Sequence, residues 1–180
     1  MKLLLLSIVL LITSCGGGKP DNITPVQSFE LQRYLGTWYE VARLDHRFER
    51  GLSHVTAEYS LRDDGGVKVV NKGYSQKNSR WDTATGKAYF VNDKSSGYLK
   101  VSFWGPFYST YVIFELDNDY QYALVSGENK DYFWILARQP TLEPALLEKL
   151  IEKAGALGFA TDKIIRVDHS VNTMQQLTTH

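Results

Sequence analysis

From Arg33 onward the chain alternates short apolar-rich runs with clusters of turn-forming residues. Val55, Ala57, Tyr59 and Leu61 alternate with His54, Thr56, Glu58 and Ser60, and Leu99, Val101 and Phe103 alternate with Lys100 and Ser102. A period of two marks a half-buried strand, because successive side chains leave a pleated backbone on opposite faces. The pattern predicts strands near 36–44, 53–62, 67–74, 82–91, 98–104, 110–117, 121–126 and 131–138, and a short final strand near Ile164 to Val167. Asp63-Asp64-Gly65-Gly66, Asn92-Asp93 through Gly97, Asp117-Asn118-Asp119 and Gly127 through Asp131 supply turns between them. One helix is predicted, at about 143–155, where Pro144 lies in the first turn and Leu146, Leu147, Leu150, Ile151 and Ala154 form one apolar stripe. The chain is therefore all-β, a sandwich or an up-and-down barrel, with its single helix packed outside the sheet.

The front of the chain follows a different pattern. Lys2 precedes an unbroken apolar run from Leu3 to Ile12, the length of a signal-peptide core and too short to span a bilayer. The junction Ile12-Thr13-Ser14-Cys15 resembles a bacterial lipoprotein signal, in which cleavage leaves Cys15 as the lipidated first residue. Residues 1–14 are then a signal peptide, and 15–28, opening with Gly16-Gly17-Gly18-Lys19-Pro20, a flexible tether. Residues 29–170 form the folded domain and 171–180 a tail.

Composition narrows the chemistry. Cys15 is the only cysteine among 180 residues, which excludes an intrachain disulfide, a thiolate metal site or a cysteine nucleophile in the folded part. Basic and acidic residues balance at 20 each with no basic run, so no nucleic-acid partner is expected. Aromatic residues make up 13%, with 11 Tyr and 4 Trp, more than an ordinary core requires. Ser53-His54 and Asp45-His46 supply catalytic residue types, but there is no Gly-x-Ser-x-Gly elbow and no His-Glu-x-x-His. The protein is read as a non-enzyme without metal or cofactor.

Gly36-x-Trp38-Tyr39 in the first strand, Asp119-Tyr120-x-Tyr122 before the seventh and Arg138 at the end of the eighth resemble the three signature segments of the lipocalin family. The stretches "RYLGTWYEVARLDHRFERG", "KVSFWGPFY" and "DYFWILAR" resemble its bacterial outer-membrane lipoprotein members. One departure is Asn118, where many lipocalins carry Thr. The resemblance implies an eight-stranded antiparallel up-and-down barrel. In such a barrel the first and last strands are neighbours, so Trp38 and Arg138 share one end and an Arg-indole stack can close it, with Gly36 letting the preceding segment cross beneath.

The opposite end is then the mouth, rimmed by 45–53, 75–81, 105–109 and 127–131, with Phe48, Leu52, Trp81, Phe107 and Tyr108 among apolar residues there. Because Arg138 points inward, so do Leu136 and Trp134. Apolar parity adds Ala57, Tyr59, Ala88, Phe90, Val101 and Phe103 to the lining, alongside Val55, Val67 and Val69, with small residues such as Gly86 leaving space. Trp134 and Tyr108 also match ligand-pocket positions of the family. Glu40 shares the parity of Trp38, which requires either a buried partner or a bulge.

The resemblance implies a membrane-anchored protein that binds fatty acids or lysophospholipids, serving lipid storage or transport in envelope maintenance. A charged head group stays at the mouth, where Arg47, Arg50 and Arg80 are available. Gly16 after Cys15, rather than aspartate, favours the outer membrane with the barrel facing the periplasm. The alternatives are a carrier of a sterol, a pigment or a haem breakdown product, a lipid-acting enzyme, and a docking module in which Phe48 and Phe107 support a homodimer.

Overall fold

The computed structural model describes residues 18–170. The expected signal peptide at 1–14, Cys15 and the expected tail at 171–180 lie outside the described residues. A single helical turn, α1 (Leu31–Tyr34), precedes eight long strands: β1 (Gly36–Arg43), β2 (Leu52–Leu61), β3 (Val67–Ser75), β4 (Arg80–Phe90), β5 (Tyr98–Trp104), β6 (Phe107–Leu116), β7 (Tyr122–Ser126) and β8 (Phe133–Ala137). Helix α2 (Pro144–Ala156), a 3-10 turn at Thr161–Lys163 and strand β9 (Ile165–Arg166) follow.

Each strand pairs antiparallel with the next, and β8 pairs with β1. Pairing of β1 with β2 over Gly36↔Tyr59 to Tyr39↔Thr56 closes the sheet into a barrel. In the upper half β1 and β2 part. There β9 adds to β1 through Ala42↔Arg166 and Arg43↔Ile165, and the Asp168 carbonyl accepts from the His54 amide on β2. The last described residues thus fill the seam between the two strands.

Two bulges reshape the wall. In β1 the register against β8 slips between Glu40 and Ala42, so Val41 and Ala42 both pack outside while Glu40 and Arg43 meet inside. In β2 the slip falls between Ser53 and Thr56, where His54 has φ 53. An extra residue on one strand of a pair bends that strand and changes which side chains face in.

Two apolar layers result. Inside the barrel, Trp38, Tyr59, Val67, Val69, Ala88, Leu99, Val125 and Leu136 form one cluster. Outside, α2 lays Leu147, Leu150 and Ala154 against Val41, Leu124, Phe133, Ile135 and Ala137. The helix starts as its sequence dictates: the Glu143 side chain accepts from the Leu146 amide at 3.0 Å and Pro144 takes the first turn, where no intrahelical donor is needed. Ion pairs Lys153–Glu115 and Arg166–Glu148 tie α2 to the barrel and to β9.

The segment expected to be a tether up to residue 28 is ordered from Gly18. The Thr110 hydroxyl donates to the Gly18 carbonyl, Asn22 donates to the Leu157 carbonyl, and Ile23 is fully buried under the helix. Val26 exchanges backbone bonds with Ile113 and Gly97, and Phe29 bonds Ser95. Glycine and proline misled the expectation, because one buried isoleucine and a run of backbone hydrogen bonds outweigh the local entropy cost.

Candidate ligand cavity

The floor is built around Trp38, which is fully buried on β1. Its indole N–H donates to the Tyr34 carbonyl at 2.8 Å, and the Arg138 guanidinium lies 4.0 Å from its ring centre. Arg138 also donates to the carbonyls of Thr37, Arg33 and Tyr120, fastening the chain before β1 to the β6–β7 turn. Gly36 has φ +93°, a conformation that a side chain strains, and a Cβ there would sit 3.6 Å from Arg138. Phe29 packs over this plug, 5.3 Å from Tyr34 and 6.0 Å from Phe90 between ring centres.

Above the floor lies a cavity of about 560 Å³ that opens at the other end. Ala57, Tyr59, Ala88, Val101, Phe103, Trp134 and Leu136 line it, as do Val55, Val67 and Val69. Gly86 contributes no space of its own, because a Cβ there would meet the Phe103 ring at 2.8 Å: the glycine seats that ring. Phe90 belongs to the inner cluster but not to the cavity wall; it lies below, against Phe29.

Tyr108 is corrected. Strand β6 begins at Phe107, not near residue 110, so alternation directs Phe107, Ser109 and Tyr111 to the cavity and Tyr108 to the outer face. There it packs 6.3 Å from Tyr89, with the Lys100 ammonium 5.2 Å from its ring. Trp81 likewise faces outward, beside Tyr74 and under the Lys72 ammonium. Of the proposed head group partners, Arg50 is paired with Asp45 and Arg80 with Asp82.

The bulge in β1 creates a polar inlay in the upper wall. Arg43, 1% exposed, donates to Glu40 at 2.6 Å and to the carbonyls of Glu49 and Leu52. The Trp134 indole donates to the Glu49 carboxyl at 3.0 Å. Burial, then the neighbouring Glu49, push the Glu40 carboxyl up to about 8 despite Arg43, and burial raises Glu49 as well. Two carboxyls facing one guanidinium reach neutrality by sharing one proton. Beside them His46 stacks on Phe48 and Tyr132 and lies tilted against Trp134, 4.5 Å between ring centres, and burial lowers its pKa to about 4, so it is neutral at physiological pH.

Several lining residues carry no sequence signal. Glu49 sits in a loop among charged neighbours, Phe29 precedes the first strand, and Trp104 flanks a Gly-Pro turn. Tyr111 bonds both Tyr34 and Tyr59 through its hydroxyl, each at 2.8 Å, a chain of three buried phenols. Only the alternation of β6, extended past its polar Ser109 and Thr110, could have pointed to Tyr111. Among the described residues no group of His, Cys, Asp and Glu could hold a metal ion.

A closed antiparallel barrel of eight strands, sealed at one end and apolar within, defines a class of proteins that enclose one small hydrophobic molecule. The Lipocalin-like domain model matches residues 29–169, and the chain belongs to the lipocalin family. It is 58% identical to Outer membrane lipoprotein Blc of Vibrio cholerae serotype O1 over 151 residues, 83% of this chain and 88% of that one. Identity to Outer membrane lipoprotein Blc of Escherichia coli strain K12 is 49% over 158 residues, covering 87% and 89%. Among solved structures, insecticyanin of the tobacco hornworm Manduca sexta superposes with a TM-score of 0.68 at 22% identity, covering 86% of this chain and 87% of that one, a likeness of fold.

Proposed function

We propose that this protein is a membrane-anchored carrier that takes fatty acids or lysophospholipids into its barrel cavity, for lipid storage or transport in envelope maintenance. The observation that carries this reading is the cavity itself: mostly apolar in its lining, closed by the Trp38–Arg138 floor and open at one end. An acyl chain burying about ten methylenes there gains roughly 8 kcal/mol before the costs of association, enough for micromolar binding without a specific polar contact. A carboxylate or phosphate would lose its hydration in the mostly apolar interior below the mouth. The chain therefore enters first and an anionic head remains at the rim.

Trp134, Leu136, Phe103, Val101, Ala88, Ala57 and Tyr59 are the proposed ligand contacts. Attachment is assigned to lipidation of Cys15, on the lipoprotein-like junction Ile12-Thr13-Ser14-Cys15. The lipoprotein names of the relatives and Gly16 after the cysteine support an outer-membrane, periplasm-facing location. The proposed role is that of a carrier, not an enzyme.

Native mass spectrometry of the protein purified from membranes, then titrated with a lysophospholipid and a free fatty acid, tests this. A saturable one-to-one lipid adduct supports the carrier. A folded protein that takes up neither lipid overturns it and moves the assignment to a sterol or pigment.

A further inference from the structure

The lower end of the cavity carries a chain of three hydroxyls. The Tyr111 hydroxyl on β6 stands 2.8 Å from that of Tyr34 in α1 and 2.8 Å from that of Tyr59 on β2. Tyr34 belongs to the floor, its ring centre 4.6 Å from that of Trp38, and Tyr59 pairs across the sheet with Gly36, where β1 begins. All three line the cavity; Tyr34 and Tyr59 are buried, whereas Tyr111 keeps accessible surface. Tyr111 lies four residues along β6 from Phe107 at the mouth, a depth of roughly 14 Å.

Burial holds each of these phenols above its ordinary range, so none is ionised and the three oxygens carry three protons. Each O–H···O contact uses one proton, whichever way the chain is oriented. Two contacts therefore leave one proton over, on Tyr34, Tyr59 or Tyr111, with no acceptor among the described residues. An alkyl chain pressed against these groups would strand that donor in a dry site, which is costly. A carboxylate is no better a guest. It would shed its hydration with no cation beside it, since Arg138 is stacked on Trp38, committed to three carbonyls, and is not among the lining residues. A neutral oxygen takes the spare proton without that penalty, and a hydroxyl also returns one to a vacant lone pair.

We infer that the Tyr34–Tyr111–Tyr59 chain selects acyl ligands that bear a neutral oxygen, a hydroxyl or keto group, deep on the chain. The inference rests on the carrier reading, in which the chain enters first and the head stays at the mouth. An extended chain advances about 1.2 Å per bond, so an oxygen that meets the phenols sits about twelve bonds from the head.

Native mass spectrometry of the protein purified from membranes tests this by competition between octadecanoic acid and its derivative hydroxylated about twelve carbons along the chain. The hydroxylated acid is expected to bind about five- to tenfold more tightly, the gain of one well-made hydrogen bond. A floor without a usable donor gives the opposite order, because burying an unpaired hydroxyl weakens binding about tenfold or more. The isomer hydroxylated beside the carboxyl, labelled with deuterium to separate the masses, should show no gain over the plain acid. Replacing Tyr34, Tyr59 and Tyr111 together by Phe removes donors and acceptors alike while keeping the rings, and should reverse the order so that the plain acid wins. Equal binding, or tighter binding of the plain acid by the unaltered protein, overturns the inference. So does a preference shared by both hydroxylated isomers or surviving in the triple variant, since either puts the recognition elsewhere; the isomer comparison needs no variant to fold. A protein that takes up none of the acids overturns the carrier reading as well, whereas uptake of the plain acid without preference overturns the selectivity alone.

Discussion

Replacing Glu40 by Gln is expected to stabilise the protein, and by more as pH rises. Glu40 is 4% exposed, with its carboxyl held at about 8 by burial and by Glu49 against the pull of Arg43. The unfolded chain releases that proton near 4.5, so the folded state binds more protons across the interval and loses stability as pH increases through it. Each unit is worth up to about 1.4 kcal/mol, which gives about 3 kcal/mol between pH 5 and pH 8 when Glu40 is treated as one site. Glutamine keeps the shape and the oxygen that accepts from Arg43 at 2.6 Å, and leaves one carboxyl, Glu49, facing one guanidinium. Urea midpoints of wild type and Glu40→Gln at pH 5, 6, 7 and 8 provide the assay. The difference between the two proteins is the informative quantity, because His46 and His169, both lowered by burial, titrate in each and cancel. A difference that stays flat within about 0.5 kcal/mol, or a variant less stable at pH 8, would refute the shared-proton account.

His46 acts in the opposite sense: its pKa is lowered to about 4, so its contribution is present above the usual histidine value and lost as pH falls toward 4. His46→Phe should flatten the acid limb of thermal melts. Arg138→Ala removes three donated hydrogen bonds and the stack on Trp38, and should cost about 2–3 kcal/mol in urea unfolding. Trp134→Ala should weaken fatty-acid binding by about tenfold in a fluorescence titration, whereas Tyr108→Ala on the outer face should leave it unchanged. Tyr111→Phe strips the shared partner from the Tyr34 and Tyr59 hydroxyls and should lower stability by about 1–2 kcal/mol, read from the urea midpoint.

The barrel was legible because its strands are long and their alternation regular: eight strands and the single outer helix lie where period and turn chemistry put them. Inward parity read from Val101, Phe103, Trp134 and Leu136 agrees with the cavity wall for the same reason. Legibility ends where the backbone departs from strict alternation. The bulge at Val41 lets Glu40 and Arg43, three residues apart, face the same interior, and no local pattern announces the extra residue. Polar Ser109 and Thr110 disguised the start of β6 and with it the direction of Tyr108. The packed course of residues 18–28 depends on partners far along the chain, such as Leu157 for Asn22, which no window around Gly18 contains.

The seam between β1 and β2 has a consequence for the order of assembly. Its upper half is filled by residues that come last in the described chain, and the bond from His169 to the Glu40 carbonyl joins positions 129 apart in sequence. Such closure involves a long loop and comes after the contacts between consecutive strands. A nascent chain therefore presents an unfinished cylinder, with the edges of β1 and β2 unpaired near the mouth, until the residues beyond α2 are available.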